Sequence, residues 1–171
     1  MAGTAKSGAE IALSDIRSKT PQPVALASLD QDGVAATWTQ PERAGSLATD
    51  VVTRSADKIG KPGILRKIDL TPKGNQGEPA VAALPGGRQV FAWTDPDEHG
   101  NGISVQLYDP AGTRIEKPGP ANASTTGNQG SAAVAVLGKA AARTRTWLVV
   151  WATSSLTGSP GIARLQRFVG P

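Results

Sequence analysis

Three stretches of the chain alternate apolar residues with polar or small ones, and each stretch runs into a tryptophan. Residues 23–40 read PVALASLDQDGVAATWTQ, and residues 79–95 read PAVAALPGGRQVFAWTD. Residues 131–153, SAAVAVLGKAAARTRTWLVVWAT, follow the same scheme with a longer interruption. Alternation with a period of two is typical of strands that bury one face. The pattern therefore predicts a similar pair of strands three times.

The spacing of the tryptophans indicates internal repeats of about 55 residues. Trp38, Trp93 and Trp151 lie 55 and 58 residues apart, and a GNQG tetrapeptide precedes the second and third copies. We predict one domain built of three repeats, over residues 10–62, 63–118 and 119–171. The extra residues GKAAARTRT in the third copy predict an extended hairpin tip or a single helical turn.

Within the second copy, four segments that read as strands follow one another: PAVAAL, RQVFAWT, GISVQLYD and TRIEKP. Turn sequences separate the strands, because glycine adopts positive φ, proline fixes φ and Asp bonds its own backbone. Four short antiparallel strands per unit make the blade of a β-propeller. We predict an all-β fold of three four-stranded antiparallel sheets, either β-propeller-like or arranged as a three-sheet β-prism.

Three blades are fewer than the roughly four to eight that close a propeller. An open stack of three sheets leaves the apolar faces of the first and last sheets uncovered. Two chains related by a twofold axis would supply six blades and cover these faces. A monomer closed as a compact prism around its tryptophans, or a piece of a longer array, would also cover them. The sequence leaves the three arrangements open.

Composition removes many kinds of chemistry. The chain has 20 Gly and 13 Pro, which disfavours a helical bundle. It has no cysteine and a single histidine, His99, which excludes disulfides, thiolate chemistry and sites that need a His pair. A net charge of +4 is too mild an excess to indicate a nucleic-acid partner. We expect no membrane insertion and no Sec-type signal peptide, because no apolar run is long enough for either.

The second copy, GNQGEPAVAALPGGRQVFAWTDPDEHGNGISVQLYDPAGTRI, resembles the Gly- and Trp-rich, blade-like β-repeats of large bacterial repeat-in-toxin-type surface and secreted proteins. Those repeats pass from an alternating strand through a Gly-Gly turn to a Trp-bearing strand, an Asp-Gly-rich loop and a strand with Gln before Phe or Tyr. The first copy lacks the last element, and the third lacks the Asp-Gly-rich loop. The resemblance implies blades used for adhesion or binding at an extracellular, cell-surface or particle-associated location, and it implies no catalytic residue.

The Asp-Gly-rich loop of the second copy carries oxygen ligands at alternate positions. Asp95, Asp97 and Asn101 are the candidate metal ligands, since Ca²⁺ loops use carboxylate and amide oxygens at such spacings. His99 stands where a hard cation prefers oxygen, and no Glu follows at the EF-hand distance. A solvated hairpin loop is therefore the competing interpretation. We expect no required cofactor, with Ca²⁺ as the one metal that the loop leaves open.

Aromatic and basic residues supply the candidate ligand-binding groups. The repeated tryptophans end strands whose apolar neighbours lie two residues earlier, which favours the core over a platform for sugar stacking. Trp147 has no counterpart in the other copies and is the candidate for an exposed aromatic. Basic residues of the third copy form a candidate anion-binding end, with protection of strand edges as the alternative: Lys139, Arg143, Arg145, Arg164 and Arg167.

No pair of carboxylates and no arginine cluster indicates glycoside hydrolysis, so we expect a protein that is not an enzyme. The predicted function is a binding, adhesion or assembly module of a bacterial or particle surface. Its expected partners are a protein or glycan surface and, in the two-chain ring, a second copy of the chain. The alternatives are a carbohydrate-binding lectin with pockets between blades, and a virion or sheath structural subunit.

Overall fold

The computed structural model describes residues 9–16, 22–44, 46–69, 74–116, 119–137, 145–154 and 161–170. These residues contain eleven β-strands in three antiparallel sheets and one 3-10 turn, Asp30–Asp32. No α-helix occurs among them. The predicted all-β class is confirmed. The GKAAARTRT insertion falls mostly outside the described residues.

The first sheet contains four strands in the order β1-β2-β3-β4. Their bounds are Val24–Ser28, Val34–Pro41, Thr49–Ala56 and Arg66–Lys67. Each strand pairs with the next one along the chain, so the sheet is a meander. In the turn between β1 and β2 the residue with positive φ is Asp32, at 60°, while Gly33 has φ of −86°.

The second sheet repeats this meander with strands β5 to β8. Their bounds are Gly77–Leu84, Arg88–Asp97, Gly100–Tyr108 and Gly119–Pro120. The prediction of a fourth strand in TRIEKP is wrong, because the fourth strand is Gly119–Pro120 and Arg114 forms only an isolated bridge with Tyr108. The side-chain amide of Gln106 donates to the carbonyl oxygens of Leu107 and Glu116, both 2.7 Å away, at the place where a longer ladder would run.

The third sheet has three strands among the described residues, in the order β11-β10-β9. Their bounds are Asn128–Leu137 for β9, Arg145–Ser154 for β10 and Ile162–Gly170 for β11. Among the described residues, this sheet therefore has one strand fewer than the four predicted. β11 pairs with β10 on one side, and its other edge faces no strand within the described part of the chain.

The sheets stack in chain order, with the second sheet in the middle. One face of the second sheet packs on the first sheet through a core that includes Val51, Ile68, Phe91 and Trp93. The opposite face packs on the third sheet through the largest core cluster of the described residues: Leu84, Val90, Ala92, Ile103, Val105, Leu107, Ala121, Trp147, Val149 and Trp151. The described residues form neither a closed propeller nor a closed prism, and the tryptophans are divided among the layers rather than gathered at one centre.

The repeated tryptophans are core residues, as predicted. Trp38, Trp93 and Trp151 are 6%, 1% and 4% exposed. Each one lies on the face of its sheet that points toward the N-terminal side of the stack, so Trp93 faces the first sheet and Trp151 faces the second. Trp38 faces outward and packs with Ala36 and Val52. We call this the Trp face of each sheet.

Backbone geometry shows how closely the second and third sheets repeat one another. Glu78 and Ser131 follow the two GNQG tetrapeptides, and both have positive φ, 47° and 54°. The register of β5 against β6 shifts at Glu78, and the register of β9 against β10 shifts at Ser131. Such a bulge bends a strand and increases its twist. The two sheets therefore begin with the same irregularity 53 residues apart.

Candidate functional site

The face of the third sheet that points away from the second sheet is apolar and open. It consists of alternate residues of the three strands: Ala133, Ala135 and Leu137 from β9; Thr146, Leu148, Val150 and Ala152 from β10; and Ala163, Leu165, Arg167 and Val169 from β11. We call it the third-sheet outer face. Leu165 is 57% exposed, Val169 56% and Leu137 47%. A contiguous apolar surface of this kind marks an interaction site more often than a surface made of scattered apolar residues does.

Residues 9–16 cover the outer face of the first sheet over β2 and β3 but not over β1. Leu13 packs against the cluster of Ala36, Trp38 and Val52. Ser14 Oγ donates to Gln40 Oε1 at 3.2 Å, while Arg54 and Asp15 form an ion pair at 3.2 Å. The cover leaves out β1, where Val24 and Leu26 are 59% and 64% exposed. Both ends of the stack therefore expose apolar side chains.

Trp147 is buried rather than exposed as predicted. It is 7% exposed and stacks on Phe168 of the neighbouring strand, with ring centroids 5.7 Å apart and ring planes at 4°. Phe168 stands directly opposite it in the register of β10 and β11. The indole ring belongs to the core between the second and third sheets. Trp147 is therefore a packing residue of this interface, and the prediction that it is exposed is wrong.

Two of the candidate basic residues, Arg164 and Arg167, lie on opposite faces of the third sheet. Arg164 stands opposite Trp151 and lies on the Trp face of β11, while Arg167 stands opposite Leu148 on the third-sheet outer face. Arg145 begins β10 opposite Gly170. Lys139 and Arg143 lie outside the described residues. Arg164 and Arg167, the pair whose side chains the structure describes, thus point to opposite sides of the sheet.

The candidate metal ligands lie on both sides of the second sheet. Asp95 and Asp97 belong to one face of β6, whereas Asn101 stands opposite Pro96 and so belongs to the other face. Asp95 Oδ2 accepts a hydrogen bond from Ser104 Oγ at 2.8 Å. The described residues contain no group of three or more His, Cys, Asp or Glu residues that could hold a metal ion. The structure thus brings two of the three candidates together.

One oxygen of Asp97 holds the backbone of the hairpin loop. Asp97 Oδ1 accepts the backbone N–H of His99 at 2.9 Å, which fixes the hairpin tip. His99 Nδ1 lies 3.0 Å from Thr125 Oγ1 in the segment that leads to β9. The hairpin tip therefore contacts the next repeat through His99. This is the arrangement of a structured hairpin loop.

A polar cavity of about 490 Å³ opens between the second and third sheets. The last three residues of each GNQG tetrapeptide line it, together with Asn101 and Ser154. Glu78 Oε2 accepts a hydrogen bond from Thr94 Oγ1 at 3.0 Å and another from the backbone N–H of Ser131 at 2.5 Å. The side-chain amides of Asn75 and Asn101 form no hydrogen bond within the part of the chain that the structure describes. They are therefore open to a ligand.

The sequence did not assign this cavity. The GNQG tetrapeptides are visible as a repeat, but they lie 53 residues apart, and only the packing of β5 against β9 brings them to one place. Recurrence of the tetrapeptide was the one signal that could have indicated it. The wall composition, amides with one carboxylate and several hydroxyls, is suited to hydrogen bonding with a polar ligand.

One charged group is buried beside β3. Asp69 is 0% exposed, and its Oδ1 accepts the backbone N–H of Val51 at 2.9 Å. The Lys67 ammonium lies 2.5 Å from Asp50 and 3.6 Å from Asp69. Burial raises the pKa of Asp69 to about 6, against the opposing attraction of Lys67. The Asp69 carboxyl thus serves the backbone of β3.

Comparison with known proteins gives no match to a protein family and none to a curated protein. Among the described residues, no helix has the length and apolar character needed to cross a membrane.

Proposed function

We propose that the protein is a non-enzymatic assembly module that binds another protein surface through its third-sheet outer face. One observation carries this proposal: the uncovered apolar face of a sheet whose opposite face packs on the second sheet through Trp147, Val149 and Trp151. Leaving this much apolar surface in water is unfavourable by about 25 cal/mol for each Å². Covering it by a partner recovers that free energy.

The size of the face suits a protein partner. Three strands of about nine residues span roughly 14 Å by 30 Å, because strands lie about 4.8 Å apart and rise about 3.3 Å per residue. The surface is mainly apolar, with Arg167 as its single charged residue among those described. Such an apolar sheet face matches the side chains of another sheet. The resemblance to the β-repeats of bacterial surface proteins supports the same class of function.

Charge substitutions on this face test the proposal. Val150→Glu combined with Leu165→Glu places two carboxylates in the centre of the face, where a partner would have to bury them. Sedimentation velocity over a range of concentrations should show association for the unchanged protein and none for the double variant. Leu47→Glu is the matched control, because Leu47 is 91% exposed on the loop that precedes β3. A protein that associates equally in all three forms would contradict the proposal.

The polar cavity supports a second candidate function, the binding of a saccharide. Free amides, hydroxyls and one carboxylate are the groups that hydrogen-bond sugar hydroxyls, and the cavity of about 490 Å³ has room for a mono- or disaccharide. A glycan array followed by calorimetry with the best glycan tests this function. Binding that Asn75→Ala and Asn101→Ala each weaken at least tenfold would support it. An array without any bound glycan would contradict it.

A further inference from the structure

We propose that the surface covering the third-sheet outer face is the first sheet of a second copy of this chain, and that residues 9–16 of that copy add a fourth strand to the edge of β11 that has no strand partner among the described residues. This inference rests on the assembly function and names its partner. Two chains would then close a ring of six sheets. The argument comes from the way that the first two sheets obtain their own fourth strands.

In the first sheet, the fourth strand lies at the start of the segment that links this sheet to the second sheet. We call this two-residue strand, together with the two residues that follow it, a clip; here it is residues 66–69. Lys67 stands opposite Val52, and the backbone N–H of Ile68 donates to the carbonyl oxygen of Val51 at 2.8 Å. Asp69 then accepts the N–H of Val51 with its side chain. The clip therefore consists of two paired residues, an apolar residue and a short polar residue.

The second sheet carries the same clip. Pro120 stands opposite Ser104, and the backbone N–H of Ala121 donates to the carbonyl oxygen of Ile103 at 2.7 Å. Asn122 Oδ1 accepts the N–H of Ile103 at 2.8 Å. Two of the three sheets thus end in the same set of backbone and side-chain hydrogen bonds, although their clip sequences, RKID and GPAN, have no residue in common.

In both cases the clip also covers the Trp face of the sheet that follows. Ile68 belongs to the core cluster of Phe91 and Trp93, and Ala121 belongs to the cluster of Trp147 and Trp151. Each clip therefore joins two sheets. It pairs with the third strand of one sheet, and its apolar residue packs on the Trp face of the next.

Residues 9–16 make one of the two contacts of a clip, the contact with a Trp face. Leu13 packs on the Trp face of the first sheet, beside Trp38, as Ile68 and Ala121 do on theirs. Ser14 Oγ donates to the carbonyl oxygen of Ile16, two residues on, just as Asn122 Nδ2 donates to the carbonyl oxygen of Ser124. Yet none of residues 9–16 is paired in a described strand. Residues 9–16 thus lie on the Trp face of the first sheet like a clip, but they pair with no strand among the described residues.

β11 offers the other contact of a clip, the edge of a third strand with which a clip can pair. Arg164 stands opposite Trp151, as Val52 stands opposite Trp38 and Ser104 opposite Trp93. Val52 and Ser104 each have a clip residue on their far side, while Arg164 has no strand partner there among the described residues. By this equivalence, Ala12 of the second copy stands opposite Arg164 and Ile11 opposite Leu165. Ser14 takes the place of Asp69 and Asn122 and accepts the N–H of Ala163.

The same contact brings the two open ends of the stack together. With the clip in place, the Trp face of the second copy's first sheet, including the exposed Val24 and Leu26, lies on the third-sheet outer face. A twofold axis repeats the contact, and six sheets fall within the roughly four to eight that close a propeller. Two contacts of this size bury about 1,700 Å² in total, which is the area of a stable protein interface.

Cysteine cross-linking tests the register directly, because the chain has no cysteine of its own. Ala12→Cys and Arg164→Cys in one chain should form disulfides between chains on mild oxidation, since directly opposed residues of an antiparallel pair have Cα atoms about 4.5 to 5.5 Å apart. The expected product is a covalent two-chain species. The matched control is Ala12→Cys with Arg167→Cys, whose second thiol lies three residues further along β11, about 10 Å away; it should remain in single chains.

Three results would overturn the inference: free thiols in both variants, a disulfide within one chain, or a ladder of longer covalent chains. The charge variants on the outer face separate this failure from failure of the assembly function. If Val150→Glu with Leu165→Glu abolishes association while the Ala12 and Arg164 thiols never join, the face binds a partner but residues 9–16 are not its clip. If neither set of variants has an effect, both proposals fail.

Discussion

Asp69 and Asn122 hold equivalent places in successive sheets. Each accepts the backbone N–H of the residue at the same position of a third strand, Val51 at 2.9 Å and Ile103 at 2.8 Å. They are 53 residues apart, the separation of the two GNQG tetrapeptides. One site carries a buried carboxyl and the other a neutral amide. Because Asp69 titrates, the stability of the contact between the first and second sheets depends on pH. Asn122 adds no titratable group to the contact between the second and third sheets.

Asp69→Asn should therefore change how stability depends on pH. The pKa of Asp69 is raised from 3.8 to about 6, so the folded state holds the proton more tightly than the unfolded state between these values. The contribution of Asp69 to stability is then most favourable below pH 3.8 and is lost as the pH rises through 6. Thermal unfolding should show that the Tm of the Asn variant relative to the parent is higher at pH 7 than at pH 4.5.

Asn122→Asp is the reciprocal control for this prediction. It should introduce a loss of stability on going from pH 4.5 to pH 7, and it also removes the hydrogen bonds that the Asn122 amide donates to Ser124 and Gln129. Equal Tm differences at both pH values for Asp69→Asn would show that the buried carboxyl is not titrating in the folded protein.

Trp93→Ala should cost about 3 to 5 kcal/mol of unfolding free energy, because it leaves a cavity where a large ring is 1% exposed between two sheets. Urea unfolding measures this change. Trp93→Phe keeps most of the apolar volume and should cost less. A Trp93→Ala protein with an unchanged unfolding midpoint and with lost sugar binding would contradict the core assignment.

Ser131→Gly should keep or raise stability, because Ser131 has φ of 54°, a conformation that glycine adopts without the strain that other residues carry. Ala133→Gly, two residues further along the same strand, should lower stability by about 0.5 to 1 kcal/mol, as expected for glycine inside a strand. Chemical denaturation of both variants measures the difference. Equal losses at the two positions would mean that the bulge carries no strain.

Chelation should leave the protein unchanged. Asp95 and Asp97 share one face of β6, but Asn101 lies on the other, and Asp97 Oδ1 accepts the backbone N–H of His99. EDTA is therefore expected to shift the Tm by less than about 1 °C, within the ordinary scatter of such measurements. A large fall in Tm that Ca²⁺ restores and that Asp97→Ala removes would establish a calcium site at this loop.

Alternation and turn chemistry predicted most of the strands. The segments PAVAAL and RQVFAWT lie in β5 and β6, and GISVQLYD lies in β7 except for its last residue, Asp109. They were predictable because a strand that buries one face alternates apolar and polar residues, and because Gly86 and Gly87 adopt positive φ in the turn between β5 and β6. The sequence pattern did not predict the fourth strands of the first two sheets. They are two residues long, and the hydrogen bonds that hold them depend on a short polar side chain, Asp in one clip and Asn in the other.

The candidate site residues were less predictable, because their surroundings come from packing between repeats. Trp147 has no counterpart in the other copies, yet Phe168 on the neighbouring strand gives it a buried stacking partner. Asn101 was grouped with Asp95 from their spacing along the loop, but the hairpin register puts them on opposite faces.

The mass of the protein in solution tests the central claim most directly. Light scattering coupled to gel filtration at micromolar concentration should give a species of two chains, twice the 17.5 kDa of one chain, and Leu165→Glu should reduce it to the mass of one chain. A mass of one chain for the unchanged protein at every concentration up to about 100 µM, the range in which an interface of standard size associates, would contradict the claim that a second copy covers the third-sheet outer face.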